Sequence, residues 1–176
     1  MATKWFIDPT HSEIQFKAKH LMISTVTGHF SRFNAGFETE GEDIYTTTNI
    51  WFTADIDSIS TNNEERDTHL KSDDFFNAKE HGQITFRGID YDADGSEANL
   101  EGELIIRGVV RPVKVDVEYG GTVLDSNGQT KAGFTVSGKI SRKAFGLTWN
   151  AITEAGAIVV SDDIHLHAEV QFIKQL

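Results

Sequence analysis

The strongest constraint on the fold of this chain is a repeated alternation of apolar and polar residues with a period of two. Successive side chains of a β-strand point to opposite faces, so each such run predicts a strand with one buried face. Seven runs share this pattern, and they cover residues 14–20, 50–56, 84–87, 100–106, 113–119, 134–140 and 164–172. The sequence therefore predicts a largely antiparallel, all-β protein.

Short turn signals separate the predicted strands. Asp94–Gly95 and Asn127–Gly128 are dipeptides typical of tight hairpins. Residues 107–112 contain Gly108 and a proline, and they predict a turn followed by an edge position. Between residues 28 and 40 the phenylalanines are spaced irregularly, which predicts a β-bulge.

One segment departs from the alternation. Thr61 and Glu64 match a capping box, and the polar residues after them predict a short helix over Asn62–Lys71. Leu70 is the only large apolar side chain of this helix. Such a helix is expected to lie on a surface or across an opening, since it has too little apolar area to form a core.

About eight one-sided strands in 176 residues predict a single domain, 1–176, built as an antiparallel barrel or sandwich. A barrel of this size is either filled by side chains or holds one small ligand. Small residues recur among the inward positions, which favours an open lumen, with Ala54 pointing into it. Alternatively, the glycines form kinks at barrel corners. The small residues are Ala18, Ala54, Gly88, Gly102, Gly138 and Ala168.

The net charge of −11 disfavours nucleic acid as a partner, because such binding depends on lysine and arginine. The absence of cysteine excludes disulfides and thiol chemistry. No run approaches the length of a membrane span. No basic, then apolar, leader opens the sequence, so we expect a cytoplasmic protein, or a periplasmic one if the sequence is a trimmed mature form.

Several blocks of the chain resemble the YceI-like family, and they occur in order over almost its whole length. The blocks are Trp5–Phe16, Lys19–Phe30, Ser58–Asn63, Arg66–Phe76, Ile84–Phe86, Leu104–Val113 and Ile140–Leu147. The resemblance implies an extended lipocalin-like antiparallel β-barrel that binds a polyisoprenoid or similar long-chain lipid. It also implies a homodimer, and it implies no cofactor other than the bound lipid.

The lipid implied by the resemblance could be a polyprenyl pyrophosphate or an isoprenoid quinone. His20 and Arg142 end inward rows, and together with Arg66 they are candidates for contact with its polar end. Alternatively, Arg142 forms an ion pair that closes the barrel end, with Asp67 as a candidate partner. The full set of candidate ligand-binding residues is Phe16, Ala18, His20, Phe30, Phe33, Phe52, Ala54, Arg66, His69, Phe75, Phe76, Phe86, Arg142, Phe145 and Trp149.

Three other functions remain open. The protein could carry fatty-acid derivatives, or be a filled barrel that acts only as an interaction module. It could also be a hydrolase that uses Arg66, Asp67, His69 and Arg142, although no nucleophile elbow or phosphate loop is present, and we expect no enzyme. His165 and His167 alternate with inward residues, so we expect them to face outward and to form no metal site.

Overall fold

The computed structural model describes residues 2–21, 23–149 and 160–176. These residues form eleven strands, three single-turn 3-10 helices and one α-helix, α1 (Glu64–Lys71). The strands are β1 (Ala2–Ile7), β2 (Glu13–His20), β3 (Ser24–Phe30), β4 (Phe33–Glu40), β5 (Asp43–Asp55), β6 (Ile59–Ser60), β7 (Gln83–Asp94), β8 (Glu97–Ile106), β9 (Val109–Leu124), β10 (Thr130–Ser141) and β11 (Asp163–Lys174). No helix in the described ranges is long and apolar enough to cross a bilayer.

Eight of the strands close into an antiparallel barrel in the order β1-β4-β5-β7-β8-β9-β10-β11. The closing pair is β1 with β11, where Trp5 lies opposite Lys174 and Ile7 lies opposite Phe172. The prediction of an all-β barrel of about eight strands with one short helix is therefore confirmed.

The other three strands lengthen one side of the barrel. β2 pairs with the first half of β11, β3 pairs with β2, and the two-residue β6 pairs with the end of β3. Because β6 follows β5 along the chain, the β2–β3 hairpin bridges β11 and β6 at this end. The barrel is thus walled by β1 and β4 at one end and by β2 and β3 at the other.

The predicted inward and outward faces agree with burial. In β8, Leu100, Leu104 and Ile106 are buried, whereas Glu101 and Glu103 are exposed. Both predicted hairpin turns, at Asp94–Gly95 and Asn127–Gly128, connect antiparallel neighbours.

The turn predicted over residues 107–112 is shorter in the structure. Only Arg107 and Gly108 form it, both with positive φ, as a two-residue hairpin requires. Pro112 lies within β9 and pairs with β8 on one side only, because the pairing with β10 begins at Asp116. A proline is tolerated there because it removes no ladder hydrogen bond from a central position.

The bulge predicted between residues 28 and 40 is found in the pairing of β4 with β5, where the register shifts between Gly36 and Glu38. The extra residue belongs to β5, because Gly36 pairs with Trp51 and Glu38 with Thr48. The phenylalanine spacing also reflects the turn at Ser31–Arg32 between β3 and β4.

The predicted helix bounds need correction. The helix begins at Glu64 instead of residue 62. Its N-cap is Asn63, whose side chain accepts a hydrogen bond from the Arg66 amide at 2.9 Å.

The inward glycines do not leave an open channel. A Cβ atom on Gly102 would lie 2.4 Å from the carbonyl oxygen of Arg87 and 2.5 Å from the ring of Phe86. At Gly88 and Gly138 it would lie 2.8 Å from the side chains of Ile50 and Val115. Neighbouring side chains therefore fill the space directly over these glycines, so the glycines do not by themselves widen the lumen.

Gly102→Ala tests this packing. We expect the variant to lower the free energy of unfolding by about 1–3 kcal/mol, because the methyl group meets backbone as well as the Phe86 ring. Gly120→Ala in β9 is the matched control, since a Cβ there would have no neighbour closer than 3.5 Å. Urea denaturation of both variants measures the difference, and equal midpoints would contradict tight packing at Gly102.

A buried carboxylate anchors the connection between β1 and β2. Asp8 accepts hydrogen bonds from the Thr10 hydroxyl at 2.6 Å, from His11 at 2.8 Å and from Lys131 at 3.0 Å. The Thr10 hydroxyl contributes most to holding the pKa of Asp8 far below its ordinary value, against the opposing effect of burial, and His11 and Lys131 lower it further.

In Asp8→Asn, the free energy of unfolding should therefore fall less steeply as the pH is lowered. The folded-state pKa of Asp8 is below its unfolded value of about 3.9, so this group stabilises the fold above that pH. The contribution declines as the pH falls from about 5 towards the folded pKa. Urea titrations from pH 7 to pH 3 should show a shallower decline for the variant, and a parallel decline would contradict this role.

Candidate functional site

Two neighbouring chambers lie inside the barrel in the part of the chain that the structure describes. The larger, here the outer chamber, has a volume of about 540 Å³. It lies beneath α1, between the β2–β3 wall and the segment that follows β10. It is lined by Phe16, Ala18, Lys19, His20, Val26, Phe30, Thr61, Asn63, Glu65, Arg66, His69, Leu70, Phe75, Phe76, Ile84, Ile140, Arg142, Leu147, Trp149, Val160, Ile164 and Leu166.

The smaller, inner chamber has a volume of about 230 Å³ and lies within the ring of eight strands. Its wall is formed mainly by aliphatic and aromatic side chains, including Phe52, Phe86, Leu100, Val115 and Phe134. The two chambers share Phe16, Phe30, Ile84 and Leu166 as lining residues. They therefore meet end to end at these four side chains.

The junction depends on a close approach at Gly28. The ring of Phe16 occupies the position in which a side chain at residue 28 would begin, with a distance of 2.1 Å to the Cβ site. Phe16 then lies against Phe30, with 5.6 Å between the ring centroids. Gly28 thus lets an aromatic pair stand at the boundary between the two chambers.

Polar side chains concentrate at the rim of the outer chamber. His69 of α1 packs edge-on against Trp149 and Phe75, with ring centroids 4.6 and 5.0 Å apart. Its Nε2 atom lies 2.8 Å from a carboxylate oxygen of Asp74. The imidazole is therefore held in one orientation by an aromatic cluster and a carboxylate.

Arg142 is 3% exposed, and its guanidinium donates mainly to backbone carbonyl groups. Four of its five N–H groups donate to carbonyl oxygens, which belong to Leu147 (2.6 Å), Trp149 (2.8 Å), Ser161 (2.8 Å) and Val160 (3.1 Å). Burial lowers its pKa, while Asp162 acts in the opposite direction. Arg142 therefore joins two rim segments, and the predicted pairing with Asp67 of the helix is wrong.

Asp67 and Arg66, two other residues of the hydrolase hypothesis, also form hydrogen bonds within the protein. Asp67 accepts hydrogen bonds from the amide and the hydroxyl of Thr61, at 2.8 and 2.6 Å. Arg66 donates to the same hydroxyl and to the carbonyl of Thr61, both at 2.7 Å. These bonds fix the start of α1 at the rim. Arg66 and Asp67 both bind Thr61 through them.

Most predicted ligand-binding residues line a chamber. Ten line the outer chamber, namely Phe16, Ala18, His20, Phe30, Arg66, His69, Phe75, Phe76, Arg142 and Trp149. Phe52 and Phe86 line the inner chamber.

Three predicted residues contribute instead to packing. Phe145 and Ala54 are each 1% exposed and belong to the core beside the outer chamber. Phe33 packs against two core clusters, one that contains Ala54 and Phe145 and one that contains Trp5 and Phe37. The prediction that Ala54 faces open space needs correction, because it is enclosed by neighbouring core side chains.

Other lining residues were absent from the predicted set although their strands were correctly oriented. Ile140, Ile164 and Leu166 occupy inward rows of β10 and β11 and line the outer chamber. The alternation of apolar and polar residues in these strands already indicated that all three side chains point inward. His165 and His167 are exposed on the outer face, as predicted, and the described residues contain no group of three His, Cys, Asp or Glu side chains suited to a metal ion.

Replacing Arg142 by Met should destabilise the protein by at least about 2–3 kcal/mol, since buried carbonyls lose a charged donor. Arg32→Met is the control, because its exposed ion pair with Asp55 is worth less than about 1 kcal/mol. Urea denaturation measures both. A stable Arg142 variant that loses affinity only for phosphorylated lipids would instead assign this side chain to the headgroup.

Comparison with known proteins places this architecture in a family. Residues 5–172 match the model of the YceI-like domain. A UPF0312 protein of Staphylococcus epidermidis is 36% identical, with 97% of each chain covered. The Campylobacter jejuni YCEI protein is 34% identical, with a TM-score of 0.77 and 90% of each chain covered.

A more distant structure shares the fold alone. It is a polyisoprenoid binding domain from Saccharophagus degradans implicated in plant cell wall breakdown, with 17% identity and a TM-score of 0.66. The alignment covers 97% of this chain and 98% of that domain. With its closed eight-stranded barrel, its lengthened β2–β3 side and a family match over 5–172, this chain belongs to the YceI-like family.

Proposed function

We propose that this protein binds one long-chain apolar lipid of the polyisoprenoid class, and sequesters or carries it with the tail enclosed in both chambers. The observation that carries this proposal is the end-to-end arrangement of two apolar chambers with polar side chains concentrated at one rim. A ligand with a long apolar tail and a single polar end matches that distribution.

The geometry favours a slender, flexible tail over a compact ring system. Ligand cavities are commonly about 300–1,000 Å³ in volume, and the outer chamber of about 540 Å³ is within this range. A chain that continues into the inner chamber must pass between Phe16, Phe30 and Leu166. Each Å² of tail removed from water contributes about 25 cal/mol, so a longer tail gains affinity by filling both chambers.

The rim supports a polar head with some negative charge or hydrogen-bonding capacity. Lys19, His20 and Arg66 line it together with one carboxylate, Glu65. This is a locally basic set in a protein of net charge −11. A hydroxyl, a quinone or a pyrophosphate could each find partners there, with Arg66 better placed than the buried Arg142, four of whose N–H groups already donate to carbonyls.

Binding without catalysis is the better interpretation. Asp67, Arg66 and Arg142 already hold structural partners, so an acid–base role for them would require the rim to rearrange. The fold shared with the Saccharophagus degradans polyisoprenoid binding domain also supports a binding role. The cytoplasmic location and the homodimer stay predictions, which fractionation and light scattering can test.

Organic extraction of natively purified protein followed by mass spectrometry tests the ligand class. We expect close to one prenyl lipid per chain. Fatty-acid derivatives in its place would identify a different cargo for the same chambers. An extract without lipid, together with no thermal stabilisation by added polyprenols or quinones, would contradict the proposal.

A pair of phenylalanine substitutions tests the location of the cargo. Ala18 lines the outer chamber, so Ala18→Phe should reduce lipid binding at least tenfold with little change in the stability of the lipid-free protein. Ala54→Phe adds the same ring to a packed site and should cost about 1–3 kcal/mol. The stabilities are compared without lipid, because bound ligand itself raises apparent stability.

If Ala18→Phe retains normal binding, the tail does not occupy the outer chamber. If Ala54→Phe is as stable as the parent, the core around Ala54 is looser than its burial indicates.

A further inference from the structure

Four neighbouring strands carry an unusual set of side chains on their outer face. Residues that lie directly opposite in antiparallel strands share one face of the sheet, so the pairing register defines cross-strand rows. One row runs across β10, β11, β2 and β3, and the next continues onto β6. The first row is Lys139, His165, Lys17 and Thr27, and the second is Ser137, His167, Gln15, His29 and Ser60.

On β10, β11, β2, β3 and β6, these two rows contain two lysines, three histidines and no carboxylate. All five of these basic side chains are exposed. We call this surface the basic wall, and it consists of Lys17, Lys139, His29, His165 and His167. Carboxylates border it on three sides: Asp116 of β9 lies opposite Ser137 in the second row, Glu13 and Glu169 face each other in the adjacent row, and Asp163 lies 3.8 Å from Lys139. A basic surface is notable on a chain with a net charge of −11.

The basic wall is the reverse side of the outer chamber. Phe16 and Leu166 alternate with its residues along β2 and β11, and they point into the chamber. Towards the end of β2, the wall is followed by Lys19 and His20, which line the rim of the outer chamber. Beyond them, in the turn between β2 and β3, Ile23 is 81% exposed.

We propose that the basic wall docks on an anionic lipid bilayer, with Ile23 entering the interface and the rim of the outer chamber held beside the membrane. Lysines near a surface attract anionic headgroups, and an exposed apolar side chain at a tip adds interfacial anchoring. A bilayer offers both the negative charge and the apolar layer that the lysines and Ile23 require. Docking itself does not depend on the proposed function. Only the role of the rim, where the lipid would enter and leave, rests on it.

Sedimentation of the purified protein with vesicles tests this docking. The probes are phosphatidylcholine vesicles with and without 30% phosphatidylglycerol, at low and at high salt. We expect binding to the anionic vesicles that weakens as salt rises, because salt screens exposed charges. The combined variant Lys17→Gln/Lys139→Gln should bind these vesicles roughly 25-fold more weakly, since each lysine contributes about fivefold.

Two matched controls separate the wall from general charge and hydrophobicity. Lys4→Gln/Lys114→Gln removes the same charge elsewhere, and Lys114 has an exposed ion pair with Glu101 that resembles the pair of Lys139 with Asp163. Ile23→Ser should weaken vesicle binding roughly tenfold. Ile89→Ser, at a position 65% exposed on β7, should not change it.

The two wall lysines do not line either chamber, so the lipid content after organic extraction should be unchanged in their variant. This readout separates failure of docking from failure of lipid binding. Absence of vesicle binding by the parent, or equal losses in the wall and control variants, would overturn the proposal. A dimer in light scattering that the wall variant dissociates, without vesicle binding, would assign the surface to a second copy of the chain.

Discussion

The structure depends on the two edges of β11. Its first edge pairs with β10 from Asp163 to Ile173, whereas its second edge is divided between β2 and β1. The chain crosses between these partners through the turn after β1, where the Asp8 amide donates to the carbonyl of Gln171 at 2.8 Å. The Gln171 amide donates in turn to the hydroxyl of Ser12 at 3.0 Å. One strand therefore closes the barrel and also starts its extension, which is why the hydrogen bonds of Asp8 matter to both.

This division explains why the chambers differ in size. Where β1 and β4 complete the ring, large side chains interdigitate: Phe37 packs edge-on against Phe134 and Phe172, with ring centroids 5.7 and 4.9 Å apart. Where β2 and β3 form the wall instead, the small Ala18 stands on the inner face, and α1 with the Arg142 rim covers the space above. The wider chamber is thus a product of the extension, and the narrower one is what remains inside a nearly filled ring.

Sequence patterns predicted which side chains of a strand point inward better than they predicted which parts of the barrel interior those side chains fill. Alternation placed Leu166 and Ala168 inside and His165 outside because the side-chain period of a strand is fixed. It could not show that side chains of neighbouring strands, Phe86 and Val115, fill the positions at Gly102 and Gly138, since that depends on the register between strands. The role of Arg142 was equally hidden, because its partners are carbonyl groups, which every residue has.

The same fixed period lets β2 serve two environments. Phe16 and Ala18 face the apolar chamber, while Lys17, between them, faces outward. A slip of one residue against β11 would exchange these faces, placing a charge in the chamber and an aromatic ring in water. The cost of burying an unpaired charge selects strongly against that slip. The requirement for an apolar chamber therefore also fixes the outer row in which Lys17 lies beside His165, so the inner and outer surfaces of this wall are set by one register.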